Sequence, residues 1–473
     1  MHMDFDIIVI GAGSGGTVLA EYGAKLGAKI CLIDERERLG GDGLNYGCVP
    51  SKSYIHAAKA AYSAKNSSDV GVNNQTTIDY SQVLQSVYDA QDYIEEHHDN
   101  PKYFEDLSVH VVKGRASFTD KHTVSVGEQH YRAKKIVIAT GSRPFIPPIE
   151  GIDDVEYLTN ESFFEHKTLP QRLAVIGAGP IGLELGQAPA MLGSEVTFFE
   201  SGERILARVD ESIATHLQTS LDDLGATTVC NSKVTAVKKN ASGYELNYTQ
   251  NDTAGSLEVD DILVATGREA NLDLNLDAAK VTYTERTIPT NKNFQTNQPH
   301  IYAIGDILDA PSFTHTAARA ATVVLQHILF GISGNAGLSQ TPWCIFTTPE
   351  IAHVGKTRQS LEEATTAFET LTIDYNEIDK AITDKEQGQI NVRIDTKQRI
   401  LGATIVGHNA GELCGLYSLA IANELKLSDM SKPIQAYPTY ALPTQQLAAE
   451  YSTKHAYDGI TGKLAMLLRK FRL

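Results

Sequence analysis

Two stretches of this chain, "DFDIIVIGAGSGG" from Asp4 and "QRLAVIGAGPIG" from Gln171, run through the same order of polarity: an unbroken apolar run, a cluster of glycines, then apolar positions spaced for a helix. An unbroken apolar run that stops at a turn suits a strand covered on both faces of a parallel sheet. Each unit continues into a second strand-like run, "AKICLIDE" and "SEVTFFES", so one strand-turn-helix-strand plan occurs twice, 166 residues apart. The pattern predicts an α/β protein with two Rossmann-like dinucleotide-binding domains. Elsewhere the pattern is less regular. Pro189 interrupts the helical run "IGLELGQAPAMLG", where it removes a hydrogen bond and favours a kink without an evident function. The most apolar span, "ATVVLQHILFGI", is broken by Gln326 and His327 and is shorter than the roughly 20 apolar residues of a membrane helix.

The glycines have mechanical reasons to be there. Gly11, Gly13 and Gly16 fill G-x-G-x-x-G in the first unit, and Gly177, Gly179 and Gly182 fill it in the second. In such a turn the first glycine permits the bend, the second lets a pyrophosphate approach the backbone, and the third lets helix and strand pack closely. Single matches of this kind often only close a strand-helix corner. Here each second strand ends in an acid, Asp34 and Glu200, each 23 residues beyond its first glycine and suited to a ribose hydroxyl. Two matches at one offset favour two dinucleotides over two packing turns. Glu200 is followed by Ser201 and Gly202, and a carboxylate there repels a 2′-phosphate, so NADH is expected in preference to NADPH, with Arg204 the one nearby cation that opposes this.

Composition narrows the class. At 473 residues the chain is long enough for about three domains. A net charge of −17 disfavours nucleic acid as a partner. Five scattered cysteines (Cys31, Cys48, Cys230, Cys344 and Cys414) fit neither a disulfide framework nor metal-ligand spacing, so reduced thiols and no metal site are expected. The N-terminus enters a strand at once without a basic region or cleavage site, and a cytoplasmic location is expected. The tail "KLAMLLRKFRL" puts Leu464, Leu467, Leu468 and Phe471 on one helical face beside Lys463, Arg469, Lys470 and Arg472. Docking on its own subunit or a twin is expected of this tail, and no membrane partner.

Eight motifs, "GAGSGG", "GGDGLNYGCVPSK", "ATGSRPFIPP", "GAGPIGLELG", "VATGREAN", "IYAIGDI", "TTPEIAHVG" and "ILGATIVGHNAGEL", occur in the order found in dihydrolipoamide dehydrogenases. Over nearly its full length the chain resembles that family of FAD-containing class I pyridine nucleotide-disulfide oxidoreductases. The resemblance implies an FAD domain from 1–148 with a second part at 271–335, an NAD domain at 149–270, and a C-terminal α+β interface (dimerisation) domain at 336–473. It implies a homodimer. It also implies FAD contacts from Asp34, Ala116, Thr140, Gly141 and Asp306, a contact from Gly267, and a Lys52–Glu184 pair near the flavin. An acid after "IYAIG" sits at a strand end, where ligands of open sheets bind, but a turn aspartate that caps the next segment reads the same way.

The chain also departs from the family. The family's redox disulfide joins two cysteines separated by four residues; here the first position is Gly43 and only Cys48 remains. Glycine has nothing to oxidise, so that disulfide cannot form. The family's C-terminal histidine and glutamate are replaced by Tyr437 and Leu442. A phenol is a poor base at neutral pH and leucine orients nothing by hydrogen bonding. Mercuric reductases are similar to this chain in having a C-terminal tyrosine, but they keep both redox cysteines and a terminal cysteine pair, so mercuric ion reduction is disfavoured. Cys48 has two readings: a thiolate at a helix N-terminus beside the flavin, able to donate charge or form a sulfenic acid, or an inert remnant.

The candidate catalytic residues are therefore Cys48, Lys52, Glu184 and Tyr437, with FAD and NADH as cofactors. The expected activity is NADH oxidation through FAD to a small, non-disulfide electron acceptor. Ordinary dihydrolipoamide dehydrogenase activity and a non-catalytic flavoprotein scaffold or redox sensor are the alternatives.

Overall fold

A computed structural model describes residues 3–207, 209–456, 462 and 466–469. In the tail, Lys463, Leu464, Lys470, Phe471 and Arg472 lie outside the described residues, while Leu467 and Leu468 are exposed. The chain divides into two compact units, one of Met1–Ile205 with Leu224–Leu338, the other of Leu206–Asp223 with Ser339–Leu473.

In the first unit the apolar run Phe5–Ile10 is a central strand, parallel to Ile30–Asp34 on one side and Gln129–Ile138 on the other. Ile7, Ile8 and Val9 have no exposed surface, which is why no polar residue alternates with them. His110–Lys113 and Ile301–Ala303 extend the parallel sheet, and Gln129–Ile138 also turns into an antiparallel meander with Thr123–Val126 and Ala116–Asp120. The second copy repeats the plan. Parallel strands run in the order Thr227–Val229, Glu195–Phe199, Arg172–Ile176, Asp261–Val264. Its meander is Ser232–Asn240, Gly243–Gln250 and Thr253–Val259. The duplication thus includes the meanders, whose sequences share no motif.

Two helices bring the sequence motifs together. Cys48–Lys65 packs against Pro180–Leu192, the helix that follows the second glycine turn. Pro189 sits inside that helix, which continues to Leu192, where Lys65 Nζ donates to the Met191 carbonyl at 2.9 Å.

The second unit is built on an antiparallel sheet in the order Trp343–Ile345, Glu350–Gly355, Ile400–Gly407, Gln389–Asp395, Phe368–Asp374. Helices Ala410–Ala422 and Glu211–Asp223 pack on the strand Ile400–Gly407. The latter helix lies, in sequence, inside the 149–270 stretch. With these two sheet-and-helix halves and the antiparallel unit, the architecture is α/β with two Rossmann-like folds and an α+β third part.

A polar cluster lies within this sheet. Arg393 is fully buried, donates to Thr404 Oγ1 at 2.9 Å and pairs with Asp210. Thr404 Oγ1, occupied as an acceptor by Arg393, directs its hydrogen to His353 Nδ1 at 2.9 Å, so Nε2 carries the ring hydrogen and donates to the Gly355 carbonyl at 3.1 Å. Burial, against the Gly355 hydrogen bond, pushes the His353 pKa down to about 4. The unfolded ring takes a proton near its ordinary 6.5. Stability from this residue is therefore full above pH 6.5, declines as the pH falls, and levels off near pH 4 after a total loss of about 3 kcal/mol. Denaturant melts of parent and His353→Gln should converge between pH 6.5 and 5; parallel curves would contradict the assignment.

Candidate functional site

The glycine turns match atom for atom in what they forbid. A Cβ on Gly11 would lie 2.3 Å from the Ala139 carbonyl oxygen, and one on Gly177 would lie 2.5 Å from that of Ala265. Both residues have positive φ, +101° and +103°. A Cβ on Gly16 would fall 1.8 Å from the Gly11 carbonyl oxygen, and one on Gly182 2.0 Å from that of Gly177. The middle glycines differ: Gly179 has no atom within 4 Å of a built Cβ, and Gly13 only the Gly41 Cα at 3.7 Å. These two open places at the starts of the helices Ser14–Lys25 and Pro180–Leu192 fit a pyrophosphate, as the outer glycines fit packing.

The acids at the strand ends are held alike. Asp34 accepts from Ala12 N at 2.6 Å and Arg36 N at 2.8 Å; Glu200 accepts from Ala178 N at 3.1 Å and Gly202 N at 2.8 Å. Each carboxylate thus ties its strand to the residue after the first glycine and to its own turn. Burial raises the Asp34 pKa, opposed by these two backbone donors. A Gly182→Ala variant should lose nicotinamide nucleotide binding by at least about 100-fold, since its methyl cannot enter without moving the turn. Isothermal titration with NADH checks this, and unchanged binding would remove the second turn from the site.

Cys48 begins the helix Cys48–Lys65, is exposed, and lies 3.6 Å from Thr314 Oγ1 through its sulfur. A Cβ built on Gly43 points to the same place, 3.7 Å from Thr314 Oγ1 and 3.3 Å from Ser14 Oγ. One turn along from Cys48, Lys52 Nζ lies 2.7 Å from Glu184 Oε2, and the glutamate is 7% exposed. Lys52→Met would remove the cation that pairs with this carboxylate, and we expect it to destabilise the protein by about 1–3 kcal/mol, below the range for a fully buried pair because the lysine is partly solvated. Urea melts of the flavin-loaded protein report this, and a change below about 0.5 kcal/mol would contradict it.

Thr140, Gly141 and Asp306 follow the carboxyl ends of the neighbouring parallel strands Gln129–Ile138 and Ile301–Ala303. Asp306 accepts from Ser142 Oγ at 2.6 Å. Thr140 Oγ1 donates to the Asn271 carbonyl at 2.8 Å, and Asn271 N donates to the Gly141 carbonyl at 3.0 Å. Gly267, at φ +144°, has open space around it and accepts from Phe145 N at 3.0 Å. Ala116 is buried at the head of its strand. Tyr437 belongs to the second unit, is 70% exposed, and donates to Asp379 Oδ2 at 3.0 Å; that carboxylate raises the phenol pKa, which makes the hydroxyl a still poorer base. Leu442 begins the helix Leu442–Lys454.

Residues not singled out from sequence also enter the site. Arg268 pairs with Asp42, which also accepts from Arg36 Nη1 at 2.8 Å, and Thr314 faces both Cys48 and the Gly43 position. Both Asp42 and Arg268 lie within family-like motifs, but they are 226 residues apart and no local pattern links them.

Two family models cover most of the chain. Residues 5–321 match the pyridine nucleotide-disulphide oxidoreductases and residues 341–447 match the dimerisation domain of the same family. The chain belongs to the pyridine nucleotide-disulphide oxidoreductases. Family members are FAD-dependent and use a nicotinamide nucleotide, which agrees with the two glycine turns. Mercuric reductase of Lysinibacillus sphaericus is 32% identical over 93% of this chain and 81% of its own length. Dihydrolipoyl dehydrogenase of Bacillus subtilis is 32% identical over 94% and 96%. The HOCl-induced flavoprotein disulfide reductase RclA of Escherichia coli superposes with a TM-score of 0.85 at 25% identity, over 94% of this chain and 99% of that one. Among the described residues, no group of three or more His, Cys, Asp or Glu could hold a metal ion, and no helix is long and apolar enough to cross a membrane.

Proposed function

We propose that this flavin-dependent oxidoreductase oxidises NADH and passes the electrons to a small acceptor that needs no dithiol exchange. The observation that carries the reading is the combination of two well-formed dinucleotide turns with a redox motif that holds one thiol, Cys48, opposite the empty side-chain position of Gly43. FAD, when bound, supplies the two-electron acceptance and delivery. Gly11, Gly13, Gly16, Asp34, Thr140, Gly141 and Asp306 hold it; Gly177, Gly179, Gly182 and Glu200 hold the nicotinamide nucleotide; Lys52 and Glu184 form an ion pair one helical turn beyond Cys48.

NADH is the nucleotide this geometry favours. The Glu200 carboxylate is fixed by two backbone donors where a 2′-phosphate would need a cation, and Arg204 Nη1 donates to the Ile205 carbonyl at 3.3 Å. We infer a homodimer formed through the family's dimerisation domain. The five free cysteines suit a reducing compartment, and the cytoplasm is the location we propose.

Steady-state assays with NADH and a panel of quinones, dyes, oxygen and peroxide test this reading beside NAD with dihydrolipoamide and NADPH with mercuric ion. Turnover with a non-disulfide acceptor is expected. Robust dihydrolipoamide oxidation, or no NADH oxidation with any acceptor, would overturn it.

A further inference from the structure

Arg268 contacts two separate parts of the FAD side of the first unit. Its Nε donates to Ser142 Oγ at 2.7 Å and one Nη donates to the Ser142 carbonyl at 2.8 Å. Ser142 is buried, and its hydroxyl has one hydrogen. Because the oxygen accepts from Arg268, that hydrogen goes to Asp306 Oδ2 at 2.6 Å, while Arg268 Nε itself stays 3.9 Å from the carboxylate. The direction of the chain is fixed: guanidinium to hydroxyl to carboxylate. It engages one Asp306 oxygen and leaves Oδ1 for a hydroxyl donor.

The same guanidinium pairs with Asp42 in the first turn of the short helix Gly41–Asn45, which Gly40 precedes as N-cap. That turn abuts the open glycine of the first fingerprint: Gly40 N donates to the Ala12 carbonyl at 2.8 Å, and a Cβ on Gly41 would lie 2.5 Å from the Gly13 Cα. An acid beside a pyrophosphate site is unfavourable unless neutralised, and Asp42 is flanked by Arg268 and Arg36.

We propose that Arg268 is a positioning residue for FAD: through Ser142 it orients Asp306, and through Asp42 it fixes the turn beside Gly13. The inference rests on the reading that Asp306 and Gly13 face the cofactor. Arg268 is suited to the task because a planar guanidinium serves several acceptors at once, which an ammonium cannot do with the same geometry.

The test is the FAD dissociation constant of the full chain, read by the fluorescence of released flavin, for Asp306→Ala, Ser142→Ala and the double variant. Ser142→Ala removes only a hydroxyl and should weaken FAD about tenfold. The double variant should bind within about twofold of Asp306→Ala alone, because Ser142 acts through Asp306. Additive losses, or normal affinity in Ser142→Ala, would overturn the relay while leaving Asp306 as a cofactor residue. Unchanged affinity in Asp306→Ala would overturn both. Arg268→Lys supplies the second arm: it should retain the charge yet lose FAD affinity by at least tenfold, and wild-type affinity in it would contradict the role given to the guanidinium.

Discussion

Replacing Gly43 by cysteine is expected to raise the reducing equivalents taken up by the flavin-loaded protein from about two electrons per flavin to about four. The site accepts the change. Gly43 does not have positive φ, so its backbone suits an L-residue, and a Cβ there meets no backbone, only the hydroxyls of Ser14 at 3.3 Å and Thr314 at 3.7 Å. The Cys48 sulfur lies 3.6 Å from the same Thr314 oxygen, so both side chains enter one small volume and a disulfide can form with modest rotation. Gly43 thus differs from Gly11 or Gly16, where the fold itself forbids a side chain. Thiol counting before and after borohydride reduction, with the reductive titration, gives the answer. If Gly43→Cys still takes about two electrons and keeps both thiols free, the description of Cys48 as a thiol lacking only its partner is wrong.

Asp210→Ala is expected to destabilise the second unit by about 3–5 kcal/mol, the largest effect on stability among the substitutions considered. Arg393 is fully buried, its Nε has no hydrogen-bond partner, and its charge is balanced by Asp210 from a segment 183 residues earlier. Removal of the carboxylate leaves an uncompensated, fully buried guanidinium on the sheet face that also carries Thr404 and His353. The double variant Asp210→Ala/Arg393→Met should recover most of the loss, because the site then needs no charge at all. Urea melts of the three proteins measure this. A loss below about 1 kcal/mol in Asp210→Ala would mean that water or another acid balances Arg393.

These two sites show what the linear sequence carries. The buried parallel strands were legible because cover on both faces leaves an apolar run, and the glycine turns because the outer glycines have no room for a Cβ while the middle ones keep the backbone open to a pyrophosphate. The acids Asp34 and Glu200 were legible by their common offset. The meanders repeat without a shared motif, since an antiparallel strand with one solvated face accepts many side chains. The placement of Leu206–Asp223 with the C-terminal sheet was not legible, for Asp210 meets Arg393 only through tertiary structure. Arg268 and Asp42 were hidden for the same reason, although both lay inside recognised motifs. The absence at Gly43 was visible from the sequence; that this glycine has room for a side chain required coordinates.

The central claim is that electrons pass from NADH through FAD with no second redox centre. An anaerobic titration of the purified, flavin-loaded protein with NADH, followed in the visible spectrum, tests it most directly. The account predicts that the flavin bleaches in one phase after about two electrons per flavin. A long-wavelength thiolate-flavin band that precedes bleaching, with about four electrons consumed, would contradict it and would mean that Cys48 has a disulfide partner.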